Sequence, residues 1–189
     1  MGVVVDLASG IGSAGDANGD RLTGIERVVG SALGDTMSGS TASDTLEGGD
    51  GNDRLDGAGG SDAIFGGSGD DTLIGGAGSD QLDGGTGADT ADYTGSTQGV
   101  TVYLDGVSSG AGGTAAGDTL INIETVLGSS LNDFLVGAQG NETLIGNDGN
   151  DVLEGGGGAD RLEGGAGTDT ASYEHALSGV SASLATGTG

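Results

Sequence analysis

The stretch Gly48–Asp92 reads GGDGNDRLD, GAGGSDAIF, GGSGDDTLI, GGAGSDQLD, GGTGADTAD: five blocks of nine residues with no insertion. Each block opens on glycine, carries another glycine fourth and places an aspartate sixth, at Asp53, Asp62, Asp71, Asp80 and Asp89. The eighth position is aliphatic: Leu55, Ile64, Leu73, Leu82 and Ala91. A strict period of this length means that one short unit is stacked many times, each copy unable to bury its apolar side alone.

The residue types point to a ligand chemistry. Aspartates recurring every nine residues would form a costly column of like charges without a cation. Glycines at the first, second and fourth positions allow positive φ and turn carbonyls toward one point; those of the second and fourth positions are Gly49, Gly51, Gly60, Gly67, Gly69, Gly76, Gly78, Gly85 and Gly87. Carboxylates plus several carbonyl oxygens at a flexible turn suit a hard cation with six to eight oxygen ligands, calcium rather than zinc or magnesium. The three remaining residues, such as Arg54-Leu55-Asp56, make a very short strand whose alternation points Leu55 inward. If two blocks make one coil, equivalent residues recur every 18 positions. Asp53, Asp71 and Asp89 then line one edge, and Asp44, Asp62 and Asp80 the other.

Outward from this stretch the register holds back to Gly30, with weaker blocks at Gly30 and Gly39 that keep Asp35 and Asp44 but have Leu33 and Ala42 in place of the fourth glycine. Before them come a strand, Gly2–Leu7 (GVVVDL), a polar loop, a degenerate block expected at Gly15–Thr23, and a half-turn, Gly24–Val29. The plan restarts at Gly99–Leu104 (GVTVYL), and Asp118–Leu120 with Ile123–Val126 repeats Asp20–Leu22 with Ile25–Val28. Five further blocks begin at Gly128. Their sixth positions are Asp133, Glu142, Asp151, Asp160 and Asp169, and Gly140, Gly149, Gly156, Gly158, Gly165 and Gly167 hold turn positions. A third copy starts at Gly179. The expected division is therefore residues 1–98 (lead-in 1–29, roll 30–92, exit loop 93–98), 99–178 (lead-in 99–127, roll 128–172, exit loop 173–178) and the start of a third copy, 179–189. The two copies differ in length by two blocks, less one extra residue in the second lead-in loop, and a solenoid tolerates loss of a whole coil because every other coil stays in register.

The pattern Gly-Gly-x-Gly-x-Asp-x-aliphatic-x, held in register over twelve blocks, resembles the RTX (haemolysin-type calcium-binding) family, and the resemblance spans essentially the whole chain. It implies an all-β fold, two tandem right-handed parallel β-rolls. It also implies calcium ions held between loops two blocks apart by both aspartates and backbone carbonyls. On that reading the first roll offers the pairs 35/53, 53/71, 71/89, 44/62 and 62/80, and the second 133/151, 151/169 and 142/160. Eight divalent ions would take the formal charge from −25 to −9. The extra methylene of Glu142 puts its role in doubt, and Glu26 and Glu124 read as surface charges rather than ligands.

Composition narrows the rest. With 46 glycines and no proline, cysteine or tryptophan, the chain would read as disordered but for its spacing. Its inward aliphatics are too few to offset the ordering of so glycine-rich a chain, which makes calcium the expected missing contribution. A net charge of −25 argues against nucleic acid as a partner, and no apolar run is long enough for membrane insertion. Val3–Val5 is too short for a signal-peptide core, so any export signal is expected elsewhere. An EF-hand at Asp16–Arg27 fails, because Arg21 and Arg27 stand where glycine and glutamate are needed. The outward threonines Thr36, Thr45, Thr72 and Thr90 are interrupted by Arg54, Ala63 and Gln81, which argues against an ice-binding array. His175 is the sole histidine and lies in a loop, with no catalytic constellation around it, so no enzyme activity is expected. The expected role is a calcium-folded segment of a secreted or bacterial cell-surface protein or fibre, exported by a type I route, with its ends suited to head-to-tail contact between copies. The alternative is an accessory module of a secreted protease, lipase or polysaccharide epimerase.

Overall fold

Strands in this chain are short, three residues between glycine turns on one edge of the coil and six where the strand runs on through the opening glycine of the next block, as in Thr45–Asp50. The computed structural model, which describes residues 1–179 and Ser181, is all-β, a parallel β-solenoid of about eight turns. Two strands make one coil. On one face lie β1 (Val4–Asp6), β4 (Thr36–Ser38), β6 (Arg54–Asp56), β8 (Thr72–Ile74) and β10 (Thr90–Asp92). The facing sheet holds β3 (Arg27–Val29), β5 (Thr45–Asp50), β7 (Ala63–Ser68) and β9 (Gln81–Thr86). Pairing is parallel and in register at 18 residues: Leu55 lies over Leu73, and Ile64 over Leu82.

The inward position of each strand builds the core. Met37, Leu46, Leu55, Ile64, Leu73, Leu82 and Ala91 are completely buried, while their strand neighbours face out or lie half-covered. The core is thus a double column of single side chains, which is why one missing methyl group in any coil has no second layer to compensate.

The two copies join into one ladder. β10 pairs in parallel with β13 (Thr125–Leu127), which pairs with β15 (Thr143–Asp148) and then β17 (Arg161–Ala166). On the facing side β9 pairs with β12 (Thr119–Ile121). The same side then resumes as β11 (Thr101–Tyr103), β14 (Phe134–Val136), β16 (Val152–Glu154) and β18 (Thr170–Ala171). Between β12 and β11 the Gly110-Ala111 segment is inserted antiparallel, bonded to Thr101 on one side and to Asp118 and Gly117 on the other. The lead-in of the second copy therefore serves as the junction between rolls. Because the first roll has an odd number of blocks, equivalent strands of the second copy lie on the opposite face.

Gly15–Thr23 departs from the expected block. It forms a 3₁₀ turn at Gly15–Ala17 after β2 (Ile11–Ala14), and Arg21 bridges antiparallel to Ile11. Its counterpart in the second copy, Asp118–Leu120, does stack as the end of a coil, since there a preceding roll is present to receive it. The restart at Gly179–Leu184 lies, apart from Gly179 and Ser181, outside the described residues.

Candidate metal centre

Each coil edge carries one sixth-position carboxylate, buried in every block but the last two (Asp160 and Asp169), and the ladder ties it to the next. The backbone N–H of Asp35 donates to Asp53 Oδ1 (2.7 Å), that of Asp53 to Asp71, and that of Asp71 to Asp89 (both 2.8 Å). On the other edge Asp44 donates to Asp62 and Asp62 to Asp80, again at 2.8 Å. In the second roll the same bond links Asp133 to Asp151 (2.8 Å), Asp151 to Asp169 and Glu142 to Asp160 (both 3.1 Å). All eight pairs expected from the 18-residue spacing are thereby brought together, Glu142 included.

One oxygen of each inner carboxylate has no partner. Asp53, Asp62, Asp71, Asp80, Asp89 and Asp151 each bury an Oδ2, and Glu142 an Oε2, with no hydrogen bond from the protein. Buried carboxylate oxygens are seldom left so. The space beside them is bounded by glycine and by carbonyls: a Cβ on Gly48 would lie 2.2 Å from Asp53 Oδ2 and 2.5 Å from the Gly66 carbonyl oxygen. Gly57 and Gly66 repeat this against Asp62 with Gly75 and Asp71 with Gly84. Unpartnered anionic oxygens, a glycine gap and a carbonyl of the next coil are the donor set a calcium ion takes. Among the described residues no three His, Cys, Asp or Glu side chains converge on one point, so the carbonyls must supply the remaining ligands.

Glycine has two separate tasks here. The second and fourth positions expected to need positive φ have it, from Gly49 (φ 110°) to Gly167 (φ 143°), with the exception of Gly140. First-position glycines such as Gly48 do not, which corrects the expectation: they are required for room, not for φ. Ala58 (φ 68°) and Asn147 (φ 74°) hold second positions in the left-handed region at some cost in strain.

The degenerate blocks satisfy their own aspartates. Ser31 N–H and Oγ donate to Asp35, and Ser129 N–H and Oγ donate to Asp133, so neither aspartate has an unpartnered oxygen. Val3 and Val100 N–H complete these two carboxylates from the first strand of each copy. Ser40 likewise binds Asp44 Oδ2, although Asp44 Oδ1 is still unpartnered.

Two ladder members fall outside the nonapeptide spacing. Asp80 N–H donates to Asp118 Oδ1 across 38 residues, and Asp89 N–H donates to Glu124 Oε2 across 35, both at 2.9 Å. Glu124 is therefore part of the ladder rather than a surface charge, since its longer side chain reaches the place an aspartate would take. Glu26, its counterpart in the first copy, is exposed as expected. Tyr93, 2% exposed, donates its hydroxyl to Asp118 Oδ2 (3.1 Å) and fills the end of the first roll beside Ala91. The only sequence signal for Asp118 was its alignment with Asp20 between copies.

Electrostatics agree with a cation-binding ladder. Burial pushes Asp62 and Asp71 up to about 6, against a donated backbone N–H that pulls down, and the carboxylates one coil away add to the rise. Burial likewise takes Asp118 to about 7. A carboxyl raised above its unfolded value stabilises the fold below that unfolded value, and the contribution is lost as pH climbs through 6 to 7. In chelator, the β-sheet circular dichroism should therefore grow as pH falls from 7.5 to 4. No growth over that range would contradict this.

Outside the ladder, the exposed His175 ring lies 3.0 Å from the buried Glu154 carboxylate, which raises the histidine pKa. Burial opposes ionisation of Glu154, but the hydrogen bonds from His175 outweigh it and hold the carboxyl below its ordinary range. This pair pins the exit loop to β16.

A parallel β-solenoid with buried carboxylates and glycine-walled carbonyl turns on its coil edges defines a class of calcium-binding repeat proteins. A family model, RTX calcium-binding nonapeptide repeat (4 copies), matches residues 29–64, 56–91 and 136–171, more than half of the chain. The chain belongs to the RTX calcium-binding nonapeptide repeat family. No curated protein sequence matches it.

Proposed function

We propose that this chain is a calcium-dependent structural segment of a secreted or cell-surface protein, exported unfolded by a type I route where calcium is scarce and folded outside. The observation that carries the reading is the ladder of buried carboxylates with unpartnered oxygens along both coil edges, which in the first roll ends at the junction on Asp118 and Glu124. Calcium would be held by the paired sixth-position carboxylates and the carbonyls of the glycine turns. Counting the eight repeat pairs and the two junction pairs gives up to ten ions. The protein's own contribution is to fix each carboxylate through the donated N–H, exclude water from it, and keep Cβ atoms out of the gap. No catalytic role is proposed. The chain's ends are suited to head-to-tail contact between copies.

A calcium titration followed by circular dichroism tests the assignment. Asp71 is shared by two pairs whose loops keep their glycines, whereas Asp35 is already satisfied by Ser31 and Val3. Asp71→Ala should raise the calcium midpoint of folding roughly tenfold or more, the scale of losing a charged ligand worth ~1.5–3 kcal/mol, and Asp35→Ala should raise it much less. Equal shifts would remove the distinction between open and serine-satisfied sites, and with it the ligand assignment.

A further inference from the structure

We infer that the exit end of the solenoid, Arg161–Tyr173, docks onto the lead-in end, Asp20–Val29, of a second copy of this chain, using the contacts that join the two rolls internally. The inference rests on the calcium reading of the carboxylate ladder and on the head-to-tail contact proposed above, and adds the surfaces, the residues and the register of that contact.

The internal junction is a template present within the same molecule. There β9 and β10 of the first roll receive β12 and β13 of the second lead-in. Both halves of that joint recur at the ends, unjoined among the described residues. β17 and β18 are the second roll's counterparts of β9 and β10, 80 residues later, and their outer edges are unpaired among the described residues. Arg21–Thr23 and β3 are the first copy's counterparts of β12 and β13, with the outer edge of β3 likewise unpaired among the described residues.

Burial follows the same division. At the junction Ala91, Asp118 and Val126 are completely buried; at the ends Ala171 and Asp20 are exposed and Val28 is half-covered. Tyr93 is 2% exposed with its hydroxyl on Asp118, whereas Tyr173 is 47% exposed and Asp20 has no such partner among the described residues. Superposing the joint on the ends predicts three intermolecular bonds: Tyr173 hydroxyl to Asp20, Asp160 N–H to Asp20, and Asp169 N–H to Glu26. These repeat Tyr93 to Asp118, Asp80 to Asp118, and Asp89 to Glu124.

The ends bear carboxylates on both sides of the contact, Asp160 and Asp169 against Asp20 and Glu26, so the contact should need calcium as the ladder does. One register pair opposes it: Gln81 over Thr119 becomes Arg161 over Arg21, like charges side by side, with Glu163 paired to Arg161 as partial relief. A contact of this heterologous kind propagates into a filament.

Sedimentation velocity on the 189-residue chain in millimolar calcium, with circular dichroism in the same buffer, tests this. Expected is an average mass that rises with protein concentration through multiples of 17.8 kDa and returns to one copy in EDTA. Tyr173→Ala and Asp20→Ala, both at exposed positions, should each weaken association about tenfold, the scale of losing a hydrogen bond to a charged group. Arg161→Gln, which restores the Gln81 arrangement, should strengthen it. The Ser79–Ala116 contact at the internal junction has Ala159 and Asn18 as its counterparts at the two ends. In an Asn18→Cys/Ala159→Cys double variant, oxidation should therefore yield a ladder of disulfide-linked multimers, and either single variant no more than dimers. A β-rich chain that stays at 17.8 kDa at the highest concentration overturns the docking while leaving calcium folding intact. Assembly indifferent to both alanine variants also overturns it. A chain that never becomes β-rich overturns the calcium reading and this inference together.

Discussion

In excess EDTA at pH 7 and low ionic strength the chain is expected to lose its β-sheet circular dichroism, and to regain it when calcium reaches roughly 10⁻⁴–10⁻³ M, the range of extracellular calcium modules. The size of the effect follows from burial. The seven sixth-position aspartates of the first roll are each 3% exposed or less. An ionised carboxylate taken from water without a counter-charge costs several kcal/mol, and a whole domain is stable by only ~5–15 kcal/mol. Two or three unpaired aspartates are enough to consume that margin, and the ladder stacks them on both edges of every coil. Magnesium should substitute poorly, because it demands six ligands in a tight octahedron and keeps its waters. A β spectrum at pH 7 that is indifferent to EDTA would end the calcium-driven folding claim.

The second large effect is expected from a single methyl group. A Cβ added at Gly78 would lie 1.4 Å from the Gly60 carbonyl oxygen of the coil below, at a φ of +150° that side chains rarely adopt. The obstacle is backbone held in a ladder, not the flexible end of a side chain, so relief requires prising two coils apart. Gly78→Ala should destabilise the first roll by more than about 4 kcal/mol, as severe backbone strain does, and push its calcium midpoint beyond the millimolar range. Gly95→Ala, with nothing within 4 Å of the added carbon, should behave as the parent chain. Matching midpoints for the two variants would show that the coils are not packed as described.

These two effects also mark how far the amino-acid order alone could be read. A nine-residue period fixes both the coil length and the side on which each residue points, so Leu55 over Leu73 and Asp53 beside Asp71 follow from counting alone. Counting fails where the period is broken. Asp118 and Glu124 close the ladder at separations of 38 and 35 residues, because the lead-in loop inserts a strand of opposite direction before the coil resumes. No spacing rule reports that, and the reading of Glu124 as a surface charge is corrected by its bond to Asp89. The serine donors at Ser31, Ser40 and Ser129 were visible only as missing glycines, although their hydroxyls and N–H groups decide which aspartates stay unpartnered. Gly15–Thr23 shows the same limit from the other side: a sequence able to end a coil does so only where a coil lies beneath it.

Coils that touch only their neighbours also have a mechanical meaning. Tension along the solenoid axis pulls on the terminal coil and leaves the next one seated. Each coil of 18 residues rises about 4.8 Å when stacked and spans roughly 60 Å when drawn out. Peeling one coil therefore lengthens the molecule by more than ten times the height it gives up, in equal steps, with the ions on its two edges released as it goes. A protein containing such a segment carries an extensible tether whose yield force is set by the calcium concentration around it.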